Sequence, residues 1–114
     1  MHKYKYLMHL QERIQAFAQL GSYLKEDFFI EQSENIYETK VKNTWFTEKN
    51  IEKSLNAWQK QLKVDILTAW LNPYNLEKVV NPKKVLIIMA GNIPLVGFHD
   101  FLAVLVSGHK VVVK

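Results

Sequence analysis

The apolar and polar residues divide the chain into three blocks. In the first block, apolar residues recur every three or four positions, which predicts an amphipathic helix from about residue 3 to about residue 26. Gly21 takes the one vacant position of this stripe and is expected to weaken the helix by ~1 kcal/mol relative to alanine. The stripe is shorter than three heptads, which is weak support for a coiled coil as the alternative. Its apolar members are Leu7, Leu10, Ile14, Phe17 and Leu24.

The second block is predicted to be an irregular connection followed by one long helix. Residues 27–46 show no clear period, and their aromatic side chains are expected to anchor them to a core. Thr47 and Glu48 suit the start of a helix, and Asn72-Pro73 suits its end. We therefore expect a single helix over 47–71, with Trp58 and Trp70 mostly buried. A ligand-stacking role for them is the alternative. The stripe consists of Ile51, Leu55, Trp58, Leu62, Ile66 and Trp70.

The third block has the order strand, tight loop, helix, strand. Six consecutive apolar residues, 85–90, predict a strand that is buried on both faces, as in a parallel sheet. A Gly-Asn-Ile-Pro turn over 91–94, a helical stretch to Ser107 and a break at 108–110 lead to the run 111–113, which should pair in parallel with the first strand. The predicted fold class is α/β, with a helical region over 1–80 and the strand–loop–helix–strand unit over 81–114.

The loop after the first strand is the place where such units bind ligands. Pro94 fits the first position of a helix, and Ile93 before it has no side-chain oxygen to cap the free N–H groups. Such a helix start is ready to receive an anion or a polarised oxygen. The Asn92 amide is a further donor, or else a cap or turn residue. The loop matches neither G-x-G-x-x-G nor a Walker loop.

Three polar residues near this loop each have two interpretations. His99 and Asp100 interrupt an apolar helix. They either face solvent or hydrogen-bond to a neighbouring strand, or they take part in proton transfer. Lys114 follows a valine-rich strand, where its amine either reaches a ribose or phosphate or is simply solvated.

Composition narrows the functional classes. The chain has no cysteine, which excludes a disulfide, a zinc–thiolate site and a thiolate nucleophile within it and fits a cytoplasmic protein. No metal site is predicted. The net charge of +4 is scattered, so we expect no nucleic-acid partner. The longest apolar runs are far shorter than the ~20 residues that span a membrane.

The third block resembles a known family. Ala90-Gly91-Asn92-Ile93-Pro94-Leu95, together with the later stretch from Leu105 to Lys114 (L-V-S-G-H-K-V-V-V-K), is similar to the start of the cofactor domain in the aldehyde dehydrogenase superfamily. The stretch G-N-I-P-L-V-G-F-H-D-F-L followed by S-G-H looks closer to the acyl-CoA reductases of the LuxC type, first known from bacterial bioluminescence. Asn43-Thr44-Trp45-Phe46-Thr47 is similar to their N-terminal helical region.

The resemblance implies roles for individual residues. Asn92 would stabilise the oxyanion of a tetrahedral adduct. Gly91, Ile93 and Pro94 would line NADPH or NADH, and Lys114 would contact the adenosine ribose or its 2′-phosphate. The substrate would be a fatty acyl-CoA or an acyl-protein thioester. In the family a cysteine holds the acyl group, and hydride from the nicotinamide releases an aldehyde.

The missing cysteine sets this chain apart from the family pattern. We therefore expect the N-terminal portion of such a reductase, with a truncated, aldehyde-dehydrogenase-like nucleotide-binding domain. This portion should have no activity alone. It should either self-associate through the strand–loop–helix–strand unit, whose second strand has an unpaired edge, or be partly disordered over 109–114. Two alternatives remain open: a non-catalytic binding module with half a nucleotide-binding fold, and a helical interaction protein.

Overall fold

The computed structural model describes residues 8–24, 31–42, 47–77, 81–89 and 95–114 as an α/β protein. Within these ranges it contains five helices and a two-stranded parallel sheet. The elements are α1 (Leu10–Tyr23), α2 (Ser33–Lys42), α3 (Glu48–Gln61), α4 (Val64–Leu71), β1 (Lys84–Ile87), α5 (Phe98–Val106) and β2 (Lys110–Val113). None of the helices in this described part combines the length and apolar character that crossing a membrane requires.

The predicted stripe of the first helix is confirmed from Leu10 onward, where α1 begins, and residues 3–7, with Leu7 of the stripe, lie outside the described residues. Ile14 is buried, and so is Leu24, the residue that directly follows α1. At the start of the helix, the Glu12 carboxylate accepts a 3.2 Å hydrogen bond from the His9 N–H. Gly21 is buried against Leu62, and a Cβ atom built on it would lie 2.6 Å from the Leu62 Cβ. The glycine thus allows the backbone of α1 to lie directly against the chain between α3 and α4.

The expectation of an irregular segment over 27–46 is wrong for residues 33–42, which form α2. Ile36 is half-buried and α2 packs beside α3, whereas Tyr37 and Val41 are 59% and 63% exposed. The apolar residues of α2 therefore lie on two different faces. Because periodicity detects only a single stripe, the pattern hid this helix.

The single helix predicted over 47–71 is interrupted. Thr47 does cap α3, since its hydroxyl accepts a 3.1 Å hydrogen bond from the Asn50 N–H, and α4 does end before Asn72. Leu62 and Lys63 are not helical, however, and they separate α3 from α4. The Leu62 side chain is fully buried where Gly21 meets it, so tertiary packing outweighs the local preference to continue the helix.

Because of this interruption, α4 buries a different face from the one that a continuous helix over 47–71 would bury. Leu67 and Leu71 are buried, whereas Ile66, a member of the predicted stripe, is exposed. Trp58 and Trp70 are half-buried and pack at the edge of the core, so the expectation that they are mostly buried is only partly met.

The strand–helix–strand unit is parallel, as predicted. Lys84 pairs with Lys110, and the register continues to Ile87 with Val113. After α5 the chain turns at Gly108, whose φ of 93° is in the left-handed region. The Gly108 and His109 N–H groups donate to the carbonyls of Leu105 and Val104, which is a Schellman motif.

The prediction that the first strand is buried on both faces is wrong. β1 contains only residues 84–87, and exposure alternates along 84–88. Ile87 is buried beneath α5, whereas Leu86 and Ile88 on the opposite face are 59% and 75% exposed. Nothing among the described residues covers this opposite face.

One hydrophobic core joins the helices that precede the sheet to the helix that crosses it. α1, α4 and α5 all contribute buried side chains, and the partly buried Phe98 packs against them. The buried members are Ile14, Leu24, Leu62, Leu67, Leu71, Leu102 and Val106. Helix α5 is thereby held between the core and the sheet.

Arg13 is a buried charged residue beside this core, with 7% of its surface exposed, and it hydrogen-bonds to three backbone carbonyls. Its Nε donates to the carbonyl of Val106 and one terminal nitrogen to that of Leu76, each at 2.7 Å. The other terminal nitrogen donates to the carbonyl of Met8. The guanidinium therefore caps the C-terminal, partially negative end of α5. Burial lowers the pKa of Arg13 because it removes water from the charged form.

Candidate functional site

The candidate site is the edge of the sheet where both parallel strands end. The Lys114 N–H donates to the carbonyl of Ile87 at 2.9 Å, and the Met89 N–H donates to the carbonyl of Lys114 at 3.1 Å. These two bonds extend the ladder beyond β1 and β2. They place Lys114 beside the point from which the chain enters the loop. The carboxyl edge of parallel strands is where ligands bind in α/β proteins.

The loop itself carries four of the five predicted site residues. Gly91, Asn92, Ile93 and Pro94 lie outside the described residues. Lys114 is described, and its side chain is exposed. Its amine is therefore available at the edge to which both ends of the loop are attached. The carbon chain of a lysine is long enough to bring the ammonium to a phosphate or a ribose hydroxyl there.

The helix after the loop begins later than the sequence predicts. Leu95 has a φ of 58°, and residues 95–97 form a turn, so α5 starts at Phe98 and not at Pro94. A right-handed helix cannot run through a residue in the left-handed region. Asp100 lies in the first turn of α5 and complements the helix dipole with its own negative charge. The start of α5 is therefore a poor match for the predicted anion site.

Gly97 and Met89, which lie on either side of the loop in the sequence, are in close contact. Gly97 is buried, and a Cβ atom on it would overlap the Met89 side chain, with Sδ at 2.8 Å. Met89 directly precedes residues 90–94, which lie outside the described residues, and Gly97 is the third residue after them. This contact holds the two ends of the loop together at the carboxyl edge.

His99 and Asp100 are both exposed, which agrees with the solvent-facing interpretation of these residues. The His99 ring lies between two tryptophans, with centroids 6.3 Å from Trp58 and 5.8 Å from Trp70. Phe98 packs edge-to-face on Trp58 at 4.6 Å. His99 therefore belongs to the aromatic contact between α5 and the helical region. This contact was missed in the sequence because His99 and the two tryptophans are far apart along the chain.

The two lysines at the start of β1, Lys83 and Lys84, lie at the opposite edge of the sheet. The Lys83 N–H donates to Nδ1 of His109 at 3.0 Å, and the Lys83 carbonyl accepts from the Lys110 N–H at 2.9 Å. His109 thereby ties the turn after α5 to the start of β1. Lys83 and Lys84 are thus part of the amino edge, away from the loop.

A separate cleft of about 350 Å³ lies between α1 and the end of α4. Its floor is apolar and its rim polar, and neither strand contributes to it. The lining residues are His9, Leu10, Gln11, Ile14, Thr68, Leu71, Asn72 and Glu77. The cleft thus coincides with none of the residues that the sequence assigns to a cofactor.

In the described ranges, no three His, Asp or Glu residues are grouped so as to hold a metal ion. No family model, no curated protein and no solved structure matches the chain.

Proposed function

We propose that this chain is the N-terminal part of an NAD(P)H-dependent acyl-CoA reductase that converts a fatty acyl thioester into an aldehyde. The observation that carries the proposal is the carboxyl edge of the parallel pair, where Lys114 lies beside Met89 at the entrance to the Gly-Asn-Ile-Pro loop. A loop with a conformationally free glycine, an amide side chain and a neighbouring ammonium suits a ligand that has both a carbonyl and phosphates.

Each residue of this edge would have a separate role in binding the substrate or the cofactor. The Asn92 amide would donate to the carbonyl oxygen of the thioester as that oxygen becomes negatively charged, which is worth ~3–4 kcal/mol in comparable sites. Gly91, Ile93 and Pro94 would line the cofactor with backbone and apolar side chain. The Lys114 ammonium would bind the adenosine ribose or its 2′-phosphate, and reduced nicotinamide supplies the hydride when bound.

The nucleophile must come from outside these 114 residues, because the chain has no cysteine. The test is to read the gene beyond the codon for Lys114 and to assay its complete product. We expect an in-frame continuation that encodes a cysteine, and a product that oxidises NADPH or NADH only when a long-chain acyl-CoA is present and releases aldehyde. The 114-residue chain serves as the control and should show no turnover. A stop codon directly after Lys114, or turnover by the control, would contradict the proposal.

A non-catalytic interaction module is the second candidate, and the exposed face of the sheet favours it. Leu86 and Ile88 are large apolar residues in solvent, and parallel sheets are normally covered on both sides. Such a face needs a protein partner whether or not the edge binds a cofactor.

A further inference from the structure

We propose that the uncovered face of the sheet binds helix α2 of a second copy of this chain. The sheet face consists of the even-numbered positions on both strands: Lys84, Leu86, Ile88, Lys110, Val112 and Lys114. All six are exposed. The face therefore combines an apolar centre with a cationic border, and this combination selects a partner that is apolar and acidic.

The register makes the cationic border strongest at the amino edge. Lys84 is directly opposite Lys110, and Leu86 is opposite Val112. Like charges in directly opposed positions destabilise a pair of strands. A carboxylate placed above Lys84 and Lys110 would remove this repulsion while an apolar side chain covers Leu86 and Val112.

Helix α2 carries the complementary surface. Glu34, Tyr37, Glu38 and Val41 follow the i, i+3, i+4, i+7 spacing that puts residues on one helix face. All four are exposed, because α2 packs on α3 through a different face that includes Ile36. This acidic–apolar face has no partner among the described residues.

The two surfaces also match in length. The eight helical residues from Glu34 to Val41 span ~10 Å. The five extended residues from Lys84 to Ile88 span ~13 Å. Because the two surfaces are different parts of the chain, the contact is heterologous, and copies can add one after another into a ring or an open chain.

The experiment measures the mass of the purified 114-residue chain by analytical ultracentrifugation over a range of concentrations. We expect the average mass to rise above 13.4 kDa as concentration increases. Association should weaken with added salt, because salt screens exposed charges. A mass that stays at that of the monomer at every concentration would overturn the proposal.

Charge reversal on each surface separates this arrangement from others. The double variants Glu34→Lys/Glu38→Lys and Lys84→Glu/Lys110→Glu should each weaken association at least tenfold. Mixed together they should associate again, because each retains the surface that the other has lost and because the reversed charges of the two variants also complement each other. The control Glu52→Lys/Asp65→Lys changes the net charge as Glu34→Lys/Glu38→Lys does, but at exposed sites on α3 and α4, and should associate like the wild type.

Two results would contradict α2 as the occupant of the face. One is unchanged association of the Glu34→Lys/Glu38→Lys variant, which would indicate that sheets pair with sheets. The other is a mixture of the two variants that remains monomeric although circular dichroism shows that both are folded.

Discussion

Replacing Gly21 with alanine tests the closest backbone contact in the fold. In an exposed helix this substitution raises stability by ~1 kcal/mol, because alanine is the better helix former. In α1 the new methyl group would overlap the carbonyl oxygen of Leu62 and lie 2.6 Å from its Cβ. Apolar carbon atoms prefer a separation of ~3.5–4.0 Å, so the overlap is about 1 Å.

The stability cost of Gly21→Ala depends on whether the Leu62 atoms can move away from the new methyl group. The Leu62 atoms in question belong to the backbone or are attached to it directly, and Leu62 is fully buried, so no side-chain rotation relieves the overlap. Overpacking of this kind costs ~1–3 kcal/mol. After the gain of ~1 kcal/mol in helix propensity, Gly21→Ala should lower the free energy of unfolding by up to ~2 kcal/mol.

Urea unfolding followed by circular dichroism measures this change as a lower midpoint at an unchanged slope. The matched variant is Ala16→Gly in the same helix. Ala16 is exposed, so this change should reveal the propensity term alone, a loss of ~1 kcal/mol. If Gly21→Ala is instead more stable than the wild type, α1 does not pack against Leu62 as described, and the reasoning fails.

Two further substitutions test the core and the contact of α5 with the helical region. Arg13→Ala should lower the free energy of unfolding by ~2–4 kcal/mol, because it leaves the carbonyls of Val106 and Leu76 without their donor. A free energy of unfolding, measured in urea, that is within ~1 kcal/mol of the wild type would argue against these hydrogen bonds. Trp58→Ala should cost ~2–3 kcal/mol in the same assay, below the 3–5 kcal/mol of a fully buried aromatic, because the ring is half-buried but packs on Phe98; a loss under 1 kcal/mol would place this ring in solvent.

Much of the fold could be predicted where local sequence patterns, such as apolar stripes, helix caps and turn glycines, agree with the tertiary structure. The apolar stripe that includes Ile14 faces the core, and Thr47 caps its helix. The Schellman motif needs a residue in the left-handed region, which glycine adopts most easily. Gly108 therefore marked the break before the second strand in the sequence. β-branched valines on both sides of a helix then indicated a parallel pair.

The failures occur where distant residues decide the structure. The stripe of α3 continues through Leu62 without a glycine or proline, so only the packing of Gly21 against Leu62 reveals the interruption. The Arg13 side chain is polar at a buried position, and its carbonyl partners lie up to 93 residues away. Neither effect leaves a local pattern in the sequence.

The candidate site was predictable only in part for the same reason. Lys114 was placed correctly at the carboxyl edge, because the end of a parallel strand fixes its position. The helix start was wrong because the positive φ of Leu95 has no sequence signal; glycine or asparagine is the usual residue there. The roles of Gly91, Asn92, Ile93, Pro94 and Lys114 stay predictions.

The most direct test of the proposed function is the effect of Asn92→Ala on the complete gene product. With a long-chain acyl-CoA and NADPH, this variant should lower kcat by about 100-fold or more, because it removes a donor to the oxyanion, while the affinity for the cofactor changes little. The control Asn81→Ala alters an exposed asparagine before β1 and should keep the kcat of the wild type. An Asn92→Ala enzyme with unchanged kcat would contradict the account and leave Asn92 as a turn residue.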